Sequence, residues 1–173
     1  MPSSPNIIRA LPKMTDQSHN PWVVNGHRFV VKSFDDLSNR ELMAIYQLRQ
    51  QVFIIEQDCP YPDIDAADLT AGHVFHKSNQ GIDAYARVIT DDQGMPHIGR
   101  VVVAMDQRHL GMGQALMQAA ISYCQNSQPS TSIIISAQSY LADFYSSLGF
   151  TATGDYYLED NIPHMQMILK PGS

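Results

Sequence analysis

The segment Arg108-His-Leu-Gly-Met-Gly113 follows an apolar run over 98–105 and opens a stretch of helical periodicity. That arrangement makes an anion site. Two glycines let backbone approach a ligand closely, and the free amides at a helix start carry the positive end of its dipole. A diphosphate is the natural guest. Two better-known phosphate motifs do not fit. The dinucleotide fingerprint requires a third glycine where Leu116 stands, and the Walker loop requires Gly-Lys-Ser/Thr where Gly113 is followed by Gln114-Ala115.

Other chemistry-bearing types are present but less ordered. Seven histidines lie among many carboxylates, yet His73-x-x-His76 alternates faces on a strand and no further ligand completes a set, so no metal site is expected. Cys59 has no His/Asn signature around it and reads as a reduced bystander. The loop Asp58-Cys-Pro-Tyr-Pro-Asp-Ile-Asp65 is long, acidic and broken by two prolines, a form that often carries function.

The elements that must position these groups follow from patterning. A strand is predicted over 28–34 and a helix from Glu41 to about 53–57, with Ser38 or Asn39 as its cap and Leu42, Ile45, Leu48 and Val52 on its inner face. Strands are predicted over 73–77, 82–90 and 98–105, the last with Val101, Val102 and Val103 consecutive and therefore buried on both sides. A helix over 111–125, a strand over 133–135, a short helix over 140–148 stopped by Gly149, and strands over 156–158 and 164–169 complete the chain. The fold class is α/β (α+β): a mixed, mostly antiparallel sheet flanked by helices, with a β-α-β crossover at the helix starting at Gly111.

At 173 residues the chain suffices for one domain, assigned to 26–173 behind a loosely ordered arm over 1–25 rich in Ser, Pro, Asn and Gln. The formal charge of −6, with no basic run among the 11 Lys+Arg, argues against a nucleic-acid partner. No apolar run spans a bilayer and no signal-peptide core appears, so no membrane association is expected. Two cysteines without a disulfide pattern suit a reducing, cytoplasmic compartment.

Arg108-x-x-Gly-x-Gly113 resembles the acyl-CoA loop of the GCN5-related N-acetyltransferase (GNAT) superfamily at every fixed position. Phe144-Tyr-x-x-x-Gly-Phe150 resembles that family's later helix, in the family order. Leu48-Arg-x-x-Val-Phe-Ile-Ile-Glu-Gln57, Cys59-Pro-Tyr, Tyr85-Ala-Arg87, Ile98-Gly-Arg-Val101 and Ile162-Pro-His164 are similar to its ElaA-like branch.

The resemblance implies a sheet splayed in the middle for acetyl-CoA, with pantetheine added like a strand along Val101, Val102 and Val103. An amide near Val102 or Val103 would polarise the thioester. Arg108, His109, Leu110, Gly111, Met112 and Gly113 would surround the pyrophosphate, and Gln138 would touch pantetheine. Tyr145 would protonate the departing thiolate, a role that suits a phenol. The glutamate that many relatives carry upstream of Val101 is replaced by Gly99-Arg100. Glu56 and His73 lead as substitute bases, with Asp65, Asp68, His164 or a water chain as alternatives. The implied activity is direct acetyl transfer to an amine, either a small molecule or a peptide amino group, drawn in by the acidic loop. The competing readings are a non-catalytic acyl-CoA-binding or regulatory module, and a nucleotide module using the Gly111 turn for another diphosphate. The acceptor's identity and homodimerisation are left open.

Overall fold

The computed structural model describes residues 22–172. Trp22–Val24 (β1) and His27–Ser33 (β2) form a hairpin through Asn25-Gly26, both at positive φ. The described chain thus begins in a strand where the arm was expected to continue to residue 25; residues 1–21 lie outside the description. The reason is the turn, since Asn-Gly takes up the left-handed geometry that closes a two-residue hairpin.

Helix α1 (Asn39–Arg49) starts on a capping box: Ser38 Oγ accepts from the Glu41 amide and the Glu41 carboxylate accepts from the Ser38 amide. Its inner face buries Ile45 and Leu48. The helix then widens into a π-helical segment, Gln50–Glu56, which seats Val52 and Phe53 on the sheet; two residues on, the chain turns away at Asp58 with φ +49. Such segments are rare and gather at functional sites.

Strands β3 (Gly72–Ser78), β4 (Gly81–Thr90) and β5 (Pro96–Val103) continue the antiparallel sheet begun by β2. Helix α2 (Met112–Ser127) crosses over to β6 (Ile133–Gln138), followed by helix α3 (Ala142–Ser147) and strands β7 (Thr151–Ala152), β8 (Tyr157–Glu159) and β9 (Ile162–Leu169). The strand order is β1-β2-β3-β4-β5-β6-β9-β7, with β8 also on β9. Every pairing is antiparallel except β5 with β6.

The sheet has a core on each face. One contains the α2 stripe, including Met112, Leu116 and Cys124, with Ile98, Ile135 and Met167. The other joins Ile45, Leu48, Val52 and Phe53 to Phe75, Tyr85 and Val102.

The middle of the sheet is open. β5 and β6 register at a single pair, His97 with Ile134. Beyond it β5 departs, because Tyr85 pairs with Val102 while Arg87 pairs with Gly99, leaving a bulge at Arg100 and Val101. Arg100 takes φ +51 there. A bulge bends its strand and ends regular pairing, and here it leaves the end of β5 beside an open gap.

Candidate acyl-CoA cleft

The gap widens into a cleft of about 890 Å³, lined by the end of β5, the π-helical segment, the start of α2, β6, α3 and the β8–β9 turn. Val101, Val102 and Val103 all line it. Val102 packs in the α1 core while Val101 and Val103 pack against the α2 core. Their side chains are therefore committed to packing, which leaves the main chain as the part of β5 suited to pair with an extended ligand.

Beyond β5 the chain turns through His109 (φ +62) and Gly111 (φ +80) into α2. No side chain caps this helix. Its first amides are the orphan donors that an anion satisfies. Gly113 lines the cleft, and a Cβ there would stand 3.8 Å from both Phe144 and Val103. The site thus fits a thioester-bearing coenzyme A: an unpaired strand edge for pantetheine leads to uncapped amides for pyrophosphate. Among the loop residues, Arg108, His109, Gly111 and Gly113 reach the cleft. Met112 is buried in the α2 core, and Leu110 is exposed outside the lining. Any contribution from those two is through the backbone.

All three Arg108 side-chain nitrogens have partners. Its Nε donates to the Val103 carbonyl at 3.0 Å, and its two terminal nitrogens donate to Glu56 at 2.5 and 3.0 Å. The guanidinium holds the Glu56 carboxyl below its usual value. Glu56 therefore lies in the cleft as an anion already paired.

Tyr145 is 7 % exposed and lines the cleft. Its ring packs edge-on against Phe144 and Phe150, and its hydroxyl has no hydrogen-bond partner among the described residues. Burial, and then neighbouring Tyr140, push its phenol up to about 12. It stays protonated at neutral pH, as an acid must before it acts. Gln138, the last residue of β6, also lines the cleft.

Two expectations need correction. His73 is 0 % exposed and outside the cleft lining. Its Nδ1 accepts from the Tyr85 hydroxyl at 2.8 Å, and its Nε2 donates to the Asp68 carbonyl at 2.9 Å. Burial, foremost, holds its pKa down. Both ring nitrogens are spent on structure, so no lone pair remains for a substrate.

The acidic loop is likewise occupied. Arg49, 0 % exposed, donates to Asp63 and Asp68 at 2.8 Å each. Arg87 donates to Asp65 at 2.6 Å and to Asp68 at 2.9 Å. Arg100, on the bulge, lies 2.7 Å from Asp63 and its guanidinium sits over the Tyr61 ring. The three aspartates hold the loop onto β4 and β5 instead of awaiting a cationic acceptor, and neither Asp65 nor Asp68 lines the cleft.

The opposite wall carries two acidic residues not among the candidates from the sequence. Glu159 and Asp160 line the cleft and have no cationic partner among the described residues. Glu159 accepts from Ser136 Oγ at 2.9 Å. The signal available in the sequence is the acidic Glu159-Asp160 pair between the last two predicted strands.

A sequence model of the acetyltransferase (GNAT) domain matches residues 36–171. A UPF0039 protein of Schizosaccharomyces pombe is 44 % identical over 144 residues, covering 82 % of this chain and 96 % of its own. ElaA of Escherichia coli is 40 % identical over 136 residues, covering 76 % of this chain and 89 % of its own; its crystal structure superposes with a TM-score of 0.78, over 82 % of this chain and 98 % of that one. The crystal structure of an acyl-CoA N-acyltransferase from Pseudomonas aeruginosa gives the same TM-score at 36 % identity, over 82 % and 97 %.

Proposed function

The chain belongs to the GNAT acetyltransferase superfamily, in its ElaA-like branch, and from that premise we propose that it transfers an acetyl group from acetyl-CoA directly to an amine. One observation carries the reading: the unpaired end of β5 runs into the uncapped start of α2, with the Tyr145 ring in the same cleft. Bound there, acetyl-CoA supplies an activated acetyl group as a thioester.

The chain's own residues divide the work. Main-chain groups of Val101–Val103 align the donor, and the amides of Gly111–Gly113 hold the anionic end. Tyr145 delivers a proton to the departing sulfur. Arg108 adds positive charge once it leaves Glu56, and Gln138 offers a polar contact to the pantetheine arm. Glu56 acts as the partner of Arg108 and not as the base. Arg87 and Arg100 are neutralised within the aspartate network, so Glu159 and Asp160 set the charge at the acceptor end. That sign favours an acceptor arriving as an ammonium.

A second reading, a module that binds acyl-CoA without turning it over, is favoured by one feature. Arg100, locked in an ion pair, and Gly99 stand where many relatives carry a glutamate.

Thermal unfolding with acetyl-CoA, NAD or ATP tests the binding half. A ligand held only by the folded state raises the melting temperature by mass action. A shift with acetyl-CoA and none with the nucleotides is expected, and equal shifts with all three would overturn the assignment.

A further inference from the structure

We propose that His164 is the general base that deprotonates the acceptor amine, an assignment that rests on the acetyltransferase reading. His164 lies on β9, paired with Gln138 of β6 on one side and Tyr157 of β8 on the other. Its ring lines the cleft that also holds Val101–Val103 and Tyr145, stacks on Tyr157, and is 9 % exposed.

One hydrogen bond fixes its chemistry. Nδ1 lies 2.7 Å from the Ile162 carbonyl. A carbonyl only accepts, so the neutral ring carries its proton on Nδ1 and its lone pair on Nε2. Nε2 has no protein partner among the described residues. This inverts the case of His73, whose two nitrogens are both bound to protein groups. Of the two buried histidines, only His164 combines a place in the cleft with a bare, tautomer-fixed nitrogen. Among the titratable groups around the ring, Tyr157 stacks on it from β8, while Glu159 and Asp160 in the turn, Tyr145 from α3, and Cys59 and the Glu56–Arg108 pair across the gap line the same cleft. Histidine is also the side-chain type most often used as a general base.

The acceptor arrives as R–NH3⁺ beside Glu159 and Asp160. Nε2 takes one proton. The freed nitrogen lone pair forms the N–C bond to the acetyl carbon, and the C–S bond breaks with its electron pair on sulfur. Tyr145 protonates that sulfur and is restored by the second proton of the attacking nitrogen, while His164 returns its proton to water. The sum is R–NH3⁺ plus acetyl-CoA giving the acetamide, free coenzyme A and one H⁺.

The decisive variant is His164→Asn. Its amide nitrogen stands near the position of Nδ1 and keeps a donor for Ile162, while the base is gone. Turnover with an amine should fall about 10²–10⁴-fold, with acetyl-CoA affinity unchanged. The acid limb of the pH–rate profile should give way to a rate that climbs with the free-amine fraction. A variant that keeps wild-type turnover and the same acid limb overturns the base role and leaves the acetyltransferase reading intact. A wild type that forms no acetylated product with any amine overturns that reading, and the base role with it. Independently of activity, nitrogen-15 NMR of the wild type with the ring neutral should show the proton on Nδ1. A proton on Nε2 would overturn the proposal.

Discussion

Arg108 grips Glu56 through both carboxylate oxygens, tying the end of the π-helical segment to the loop that precedes α2. The same guanidinium bonds the last carbonyl of β5. One side chain thus spans the three elements between which an acyl-CoA would lie, and the ligand's phosphates must compete with Glu56 for it.

Glu56→Gln should therefore tighten acetyl-CoA binding. Partly exposed ion pairs contribute about 0.2–1 kcal/mol, so a gain of up to about fivefold in affinity by calorimetry is expected, with turnover retained. A fall in turnover of a hundredfold or more would instead make Glu56 the base.

Gly113→Val should abolish binding without unfolding the protein. Gly113 sits in the first turn of α2, without the positive φ that makes Gly111 intolerant of side chains, and a Cβ meets only ordinary contacts. The added methyls fill space that the pyrophosphate needs. Undiminished acetyl-CoA affinity in a variant with wild-type melting would place the cofactor elsewhere.

Tyr145→Phe keeps the ring against Phe144 and Phe150 and removes only the hydroxyl. Turnover should drop about 10²–10⁴-fold with acetyl-CoA affinity hardly changed, the pattern of an interaction made in the transition state. Wild-type turnover in single-turnover kinetics would reduce Tyr145 to a packing residue.

Asp68 should govern acid stability. Burial raises its pKa, but hydrogen bonds from Arg49 and Arg87 outweigh this and hold it below the ordinary aspartate value. A folded value below the unfolded one stabilises the fold above the unfolded pKa, and this contribution is lost as pH falls through the folded value. Asp68→Asn leaves Arg49 buried with part of its charge uncompensated, at a cost of about 3–5 kcal/mol. Thermal melts at neutral pH should show a drop of about 10 °C, and the gap between variant and wild type should narrow as the pH falls below about 4.

Local signals in the chain announce the elements well. Ser38 and Glu41 announce the start of α1 by their spacing, and Gly149 at φ +94 closes the turn after α3 as its type suggests. Asn25-Gly26 was an equally local hairpin signal that the polar composition around it obscured. The two residues of β7 are too few to show a period. The Arg100 bulge and the π-helical segment left no periodic trace either, since each is a local departure from regular geometry imposed by packing. The aspartate network depends on pairs separated by 14 to 37 positions, so an acidic loop looked available for a ligand when three arginines already held it. His73 and His164 are the same residue type on strands; what separates them is the partner of each ring nitrogen, a property of the folded chain.

Everything above turns on acetyl leaving coenzyme A for an amine. Incubating the purified protein with acetyl-CoA and a panel of small amines and peptides, then reading both free coenzyme A and the acetylated product by mass spectrometry, tests it most directly. Equal amounts of the two products are expected with at least one cationic amine, and none with Tyr145→Phe on the same timescale. Tight acetyl-CoA binding with no product from any amine would contradict it.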